Sequence, residues 1–158
     1  LHKNGQKAIC YFSGGSSERN KPDYNAFQKA GVISNVVSDW GNKLIDIRKI
    51  DKLKPLFRDR FRRAVKYGCD GVEVDSIGVP EEMIESITKS HTFNFAKMLA
   101  ETAHNENISI GLKNCPHLAK DLVSYFDFAI VESCADYNEC KKFSEFTKNK
   151  KAVFIVQY

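Results

Sequence analysis

Apolar residues recur along this chain in two alternating rhythms. Lys7-Ala8-Ile9-Cys10-Tyr11-Phe12 is a short apolar strand that opens into a loop of small residues, Ser13-Gly14-Gly15-Ser16-Ser17-Glu18. Pro22 to Phe27 starts a turn or short helix, and Gly31 to Trp40 is irregular. Lys43-Leu44-Ile45-Asp46-Ile47-Arg48 reads as a strand interrupted by Asp46. From Leu53 to Tyr67 the spacing is helical, with Gly68 where a helix C-cap glycine is expected. Gly71-Val72-Glu73-Val74-Asp75 then alternates with a period of two, which places Glu73 and Asp75 on one strand face. Glu81 to Ala103 is mostly helical, with Ser90 or Thr92 as the cap of a second helix. The strand Ile108 to Asn114 is stopped by Pro116 and followed by a helix over Leu118 to Tyr125, then the strand Phe128 to Glu132. A polar loop to Cys140, a helix from Lys141 to Lys148 and the strand Ala152 to Tyr158 close the chain.

Alternating strands and helices predict an α/β fold with a parallel sheet. Six βα-type strands are expected, most of them ending in a polar residue: Ser13, Arg48, Asp75, Asn114, Glu132 and Gln157. In such folds the functional groups collect at the carboxyl ends of the strands. Asp75 and Glu132 should therefore share one end of the sheet, with exposed edges at residues 7–12 and 152–158 that make the piece poorly soluble alone. A length of 158 residues fits one domain with a real core. A (β/α)₈ barrel has about two more units and usually about 250 residues. The sheet is thus either open or a barrel lacking units at its ends.

Two carboxylates on one strand face make a poor core and a good reaction centre. Asp75 and Glu132, each ending a strand, supply the minimum for general acid–base, bond-cleaving chemistry. With 42% hydrophobic and 28% charged residues the chain reads as soluble and globular. No apolar run approaches the roughly 20 residues of a membrane span, and Leu1 to Gly5 carries no signal-peptide core. Lacking an initiator Met, it is expected to be a mature form or a fragment. The net charge of +4 is mild, and the run Arg58 to Arg63 reads as a solvated helix face because no stacking platform or RNA-binding signature accompanies it. Ser13 to Glu18 lacks the spacing and lysine of a phosphate loop, so its small residues suggest a backbone that a ligand approaches. Asp46 and Arg48 either pair with each other or line the cleft. Trp40, the only tryptophan, suits either a sugar-stacking platform or the core.

Five cysteines leave at least one without an intrachain partner. Cys134 and Cys140, six apart in a polar loop, suit a small disulfide-closed loop better than a metal site, since no Cys-x-x-Cys is present and His104 and His117 fall at no metal spacing. A disulfide favours a secreted protein. Cys10, Cys69 and Cys115 read as strand or strand-end residues, with Cys69 and Cys115 at opposite ends of their strands and so not paired. Asn107-Ile108-Ser109 matches the N-glycosylation pattern.

An ordered set of motifs resembles glycoside hydrolase family 114, the endo-α-1,4-polygalactosaminidases. It comprises Ile9 to Ser13, Gly15-Ser16 with Glu18, Pro22-Asp23, Trp40, Asp46-Ile47-Arg48, Gly68 to Glu73 with Asp75, Asn94 and Ala103-His104. It continues through Gly111 to Asn114, Glu132, Cys134, Tyr137, Glu139-Cys140, Ala152 to Phe154 and Tyr158. The resemblance implies a (β/α)₈ TIM-barrel-like fold, here one glycoside-hydrolase domain over 1–158 with a further strand unit before Leu1 and another after Tyr158. It implies Asp75 and Glu132 as the catalytic carboxylates, with Tyr11, Ser13, Glu18, Trp40, Asp46 and Arg48 among the substrate-binding residues. Glu73, Lys113, Asn114, Tyr137 and Tyr158 complete that set. Departures from the family pattern cluster near the carboxylates: Val74 and Ser76 flank Asp75, Val131 and Ser133 flank Glu132, and Lys21, Asn42 and Gln157 replace an Arg and two Glu.

These features predict a secreted, monomeric glycosidase that cleaves an α-1,4-linked galactosamine-containing polysaccharide. It needs no metal or cofactor and has no nucleic-acid or membrane partner. Glu73, Asp75 and Glu132 should form an acidic cluster, Lys113 should hold one carboxylate ionised, and Asn114 should bond sugar hydroxyls. The lost polar flanking residues support an alternative, a carbohydrate-binding protein on the same scaffold that no longer cleaves. An ordinary α/β domain would instead tie Asp75 and Glu132 to backbone or arginine.

Overall fold

The computed structural model describes residues Leu1–Tyr158. The chain begins with β1 (Ile9–Ser13), β2 (Ser16–Ser17), α1 (Tyr24–Lys29), β3 (Ile33–Val37) and β4 (Lys43–Ile45). Helix α2 (Ile50–Lys66) leads to β5 (Gly71–Asp75), and α3 (Val79–Met83) with α4 (Lys89–Asn105) leads to β6 (Ser109–Lys113). Then α5 (Ala119–Leu122) precedes β7 (Phe128–Glu132), and α6 (Ser144–Lys148) precedes β8 (Val153–Val156).

Strands β1, β5, β6, β7 and β8 form one sheet in that order, every pairing parallel. Spatial order follows chain order, so the sheet has no point where its winding reverses, unlike a doubly wound fold. The helices follow the same progression, α2 packing on α4, α4 on α5 and α5 on α6. This is the arrangement of a (β/α) barrel. As expected, β1 and β8 are the sheet's edges.

The expected sixth parallel strand is absent. The Lys43–Ile45 strand belongs to a separate three-stranded antiparallel sheet with β2 and β3. A parallel return needs a crossover of a dozen or more residues, whereas β3 and β4 are joined by a hairpin-length link. In the main sheet β1 pairs directly with β5, Cys10 beside Val72 and Ser13 beside Asp75, which leaves no slot between them. The stretch read as irregular thus contains β3, whose polar Ser34-Asn35 pair obscures the strand pattern.

On α2 the buried residues Leu53, Phe57, Arg60, Phe61 and Ala64 form one helical stripe. Phe57 meets Phe12, Phe27 and Phe95 at ring centroids 6.3, 5.6 and 5.6 Å away. The basic run is therefore not wholly solvated. The Arg60 guanidinium donates to both Asp23 carboxylate oxygens at 2.7 and 3.1 Å and to the Ser13 carbonyl at 2.8 Å, and lies 4.4 Å from the Phe27 ring centre. Burial alone pushes the Asp23 pKa up, but the Arg60 hydrogen bonds and charge outweigh it and hold Asp23 below the usual range. Gly68 ends the helix at φ 80°, as its position predicts.

The long helical stretch after β5 is split into α3 and α4. The α4 cap is Thr88, not Ser90 or Thr92: its hydroxyl accepts from the His91 amide at 3.4 Å, while the Thr88 amide donates to His91 Nδ1 at 3.0 Å. Histidine takes the place of the usual Glu or Gln in this capping box, so the sequence signature is missing. Two disulfides form. Cys134–Cys140 is as expected, with Cα atoms 4.9 Å apart, and Cys10–Cys69 joins β1 to the turn before β5 at 5.8 Å. Cys115 stays free and buried.

Candidate active site

Parallel pairing brings the strand ends into line. It sets Ser13 beside Asp75, Glu73 beside Gly111 and Glu132 beside Val156. Five adjacent strands then deliver a centred pattern: Tyr11 from β1, Glu73 and Asp75 from β5, Lys113 from β6, Glu132 from β7, and Tyr158 just past β8. Lys113, only 5% exposed, stands at the middle. Its ammonium nitrogen lies 2.7 Å from Glu73 Oε1, 3.5 Å from Asp75 Oδ1 and 3.4 Å from Glu132 Oε1. Burial disfavours the charged lysine. The Glu73 hydrogen bond and the three carboxylate charges outweigh burial, and the Lys113 pKa rises above its ordinary value.

Each cleft carboxylate is fixed by donors. Asp75 Oδ2 accepts from the Tyr11 hydroxyl at 2.7 Å and Oδ1 from the Ser76 amide at 2.8 Å. Glu132 Oε1 accepts from the Tyr158 hydroxyl at 2.8 Å and Oε2 from the Asn114 carboxamide at 3.1 Å. Burial would raise the Glu132 pKa, yet the Tyr158 and Asn114 hydrogen bonds and the Lys113 charge hold it below the usual range. Burial and the bond to Asp75 push the Tyr11 hydroxyl far up.

The backbone is turned sharply at the ends of β5, β6 and β7. Ser76, Asn114, Cys115 and Ser133 have φ of 61°, 52°, 56° and 48°, the left-handed region that costs non-glycine residues of order 1–3 kcal/mol each. Such strain clusters at functional sites. At Ser76 it folds the amide back onto the preceding carboxylate. The Gly14-Gly15 loop rides directly over this turn: the Gly14 amide donates to the Asp75 carbonyl at 2.7 Å, and a Cβ on Gly15 would lie 1.8 Å from the Ser76 carbonyl oxygen. Gly14 and Gly15 thus accommodate the backbone that follows β5, while Ser13, Ser16 and Glu18 of the same loop line the cleft.

Above the carboxylates lies a cleft of about 800 Å³. Tyr11, Ser13, Glu18, Trp40, Asp75, Lys113, Asn114, Glu132 and Tyr137 line it. Trp40 and Tyr137 are 70% and 72% exposed, so neither ring packs in the core. The Cys134–Cys140 bridge closes the loop that presents Tyr137 and Glu139. Ser13 is buried against Ser16, hydroxyl to hydroxyl at 2.7 Å. Glu73 sits beneath the cleft as the tightest partner of Lys113.

Several expected substrate contacts lie elsewhere or are already engaged. Asp46 and Arg48 do not line the cleft: Arg48 Nε and Nη2 grip the Asp46 carboxylate at 2.7 and 3.0 Å, and Nη1 reaches Ser86. The side chains satisfy each other because β4 left the main sheet and took its polar end with it. Asn114 lines the cleft with its carboxamide already engaged on Glu132: its oxygen accepts from the Glu132 amide at 2.9 Å and one N–H holds the Glu132 side chain, leaving its second N–H. Tyr158 is bonded to Glu132 from the sheet edge. Asn42, Glu82, His117 and Phe143 also line the cleft. Glu82 lies on the short helix α3 and His117 in a turn; their place just after strands β5 and β6 is the only clue the sequence holds. Cys115 lines the same wall, its thiol pushed up to about 12 by burial and by the nearby Glu82 and Glu81 charges.

The cleft is acidic on a basic chain. Glu18, Asp75, Glu82, Glu132 and Glu139 face Lys113 and His117, although the net charge of the whole is +4. No helix is long and apolar enough to cross a membrane. Because one ammonium lies 3.5 Å from an Asp75 oxygen and 3.4 Å from a Glu132 oxygen, those oxygens are at most about 7 Å apart.

Known proteins share this fold. No curated protein matches the chain. Among solved structures, Aspergillus fumigatus Ega3 in complex with galactosamine is 34% identical with a TM-score of 0.90, covering 100% of this chain and 63% of that one. The chain therefore spans 63% of the length of that relative. The glycoside hydrolase domain of PelA from Pseudomonas aeruginosa shares the fold at 12% identity and TM-score 0.70, covering 96% of this chain and 67% of that one. The alpha-amylase of Geobacillus thermoleovorans shares it more distantly, at 15% identity and TM-score 0.54, over 82% of this chain and 31% of that one. The model for glycoside-hydrolase family GH114 matches residues 1–158, the full extent of the chain. With its TIM-barrel-like sheet and strand-end carboxylates, this chain belongs to glycoside-hydrolase family GH114.

Proposed function

We propose that this protein is a retaining glycoside hydrolase that cleaves α-1,4-linked, galactosamine-containing polysaccharide. One observation carries the reading: Asp75 and Glu132 flank a single ammonium at the floor of an open cleft in a family GH114 chain. Retaining enzymes hold their carboxyl groups about 5–5.5 Å apart and inverting enzymes about 6.5–9.5 Å, leaving room for a water. A ceiling near 7 Å favours retention. One carboxylate attacks the anomeric carbon as the other carboxyl, in its protonated form, gives its proton to the departing glycosidic oxygen, leaving a glycosyl ester and a second, ionised carboxylate. The second group then takes a proton from water, which attacks the same carbon and frees the enzyme.

The substrate class rests on charge and on the relative. Galactosamine units are cations at neutral pH, and the acidic cleft complements them. The 34% identical Ega3 structure holds galactosamine. Trp40 and Tyr137 provide exposed rings for sugar faces. All these groups come from one chain, which supports a monomeric enzyme, and two disulfides support secretion.

The test is oligosaccharide release from de-N-acetylated galactosaminogalactan. Asp75→Asn and Glu132→Gln should each lower turnover by about 10²–10⁴-fold or more while binding persists. Azide should rescue them with opposite anomeric outcomes, which assigns nucleophile and acid. Binding without release by the parent protein would instead establish the carbohydrate-binding alternative.

A further inference from the structure

We infer that Asn107 is an N-glycosylation site on the face opposite the cleft, carrying an asparagine-linked oligosaccharide. The inference rests on the secreted reading above. Asn107-Ile108-Ser109 supplies the acceptor pattern, with no proline at its middle position. Folding leaves the motif accessible. Asn107 and Ser109 are exposed, while Ile108 between them is buried and anchors the turn.

The local backbone explains why this asparagine projects from the fold. It occupies the left-handed residue after α4, at φ 58°, a conformation asparagine tolerates better than most side chains. Its amide donates to the His104 carbonyl at 2.9 Å, and the next amide, of Ile108, donates to the Ala103 carbonyl at 3.2 Å. These bonds satisfy the end of the helix through main chain alone, so the Asn107 carboxamide is free for modification. Disulfides at Cys10–Cys69 and Cys134–Cys140 mark an oxidising route, the compartment in which such glycans are added in eukaryotic cells. Position keeps the glycan clear of chemistry. Ser109 begins β6 and Lys113 ends it, roughly 13 Å away along the strand, with the cleft beyond Lys113.

The test uses protein secreted by a eukaryotic cell that makes the full chain. Peptide-N-glycosidase treatment in heavy-oxygen water should convert Asn107 to labelled Asp, with a matching loss of mass from the intact protein. Ser109→Ala should abolish the label and Ser109→Thr should keep it, both with parental turnover; these variants leave the left-handed asparagine in place. An unlabelled Asn107 in secreted, disulfide-bonded protein overturns the inference alone. Protein retained in the cytosol with Cys10, Cys69, Cys134 and Cys140 as thiols overturns the secreted reading together with it.

Discussion

Replacing Lys113 with methionine removes the one positive charge shared by Glu73, Asp75 and Glu132 while roughly keeping side-chain volume. At an effective dielectric of about 20, contacts of 2.7, 3.5 and 3.4 Å are worth about 6, 5 and 5 kcal/mol of gross attraction. Desolvation of the ions, several kcal/mol each, offsets most of this, and removing one partner of a buried ion pair costs about 3–5 kcal/mol net. Lys113→Met should therefore lose about 3–5 kcal/mol in urea denaturation at pH 7, a large share of a domain's usual stability. The sign with pH follows from the raised lysine pKa. A group whose folded pKa is raised stabilises fully below its unfolded value, so the gap between parent and variant stays constant through neutrality. It closes only as pH climbs through the folded-state pKa. Turnover should fall as well, because three neighbouring carboxylates without the shared ammonium repel one another and lose the positions it fixes. Lys113→Arg, keeping the charge, should recover part of the stability. A Lys113→Met protein within about 1 kcal/mol of the parent, with an unchanged pH–rate profile, would refute the view that this ammonium organises the site.

Tyr158→Phe removes the 2.8 Å bond that helps hold Glu132 below its ordinary pKa, so the acid limb of the kcat/KM profile should move to higher pH; an unmoved limb excludes Glu132 as the group titrating there. Replacing Cys10 and Cys69 with alanine opens a 59-residue loop and should cost about 4 kcal/mol of unfolding free energy, read by urea denaturation under non-reducing conditions. Gly15→Ala would place a methyl 1.8 Å from the Ser76 carbonyl oxygen, so turnover should drop more than stability, as the Asp75–Ser76 turn shifts; parental activity would mean the loop moves freely. In the folded protein Cys115, with a thiol pushed up to about 12 and 5% exposed, should resist alkylation until denaturant is added.

The alternation of apolar residues determined much of this molecule by itself. A period of two in Gly71–Asp75 put Glu73 and Asp75 on one face, and the ends of β5 and β7 named Asp75 and Glu132 as the facing carboxylates, because side-chain direction in a strand is a local property. Cysteine spacing likewise predicted Cys134–Cys140, a bridge closed within a single loop. What the sequence left undecided depends on which strand lies next to which. Lys43–Ile45 looks like any other strand, and only the short hairpin link to β3 sent it, with Asp46 and Arg48, into a separate antiparallel sheet. The pairing of Cys10 with Cys69, the burial of Arg60 against Asp23, and the meeting of Gly15 with Ser76 are contacts between residues far apart in the chain. Lys113 and Asn114 were legible as polar strand ends, but their partners were not. Only parallel register across β5, β6 and β7 places one ammonium among three carboxylates and ties Asn114 to Glu132, since hydrogen-bond partners follow strand order and local periodicity carries no record of it.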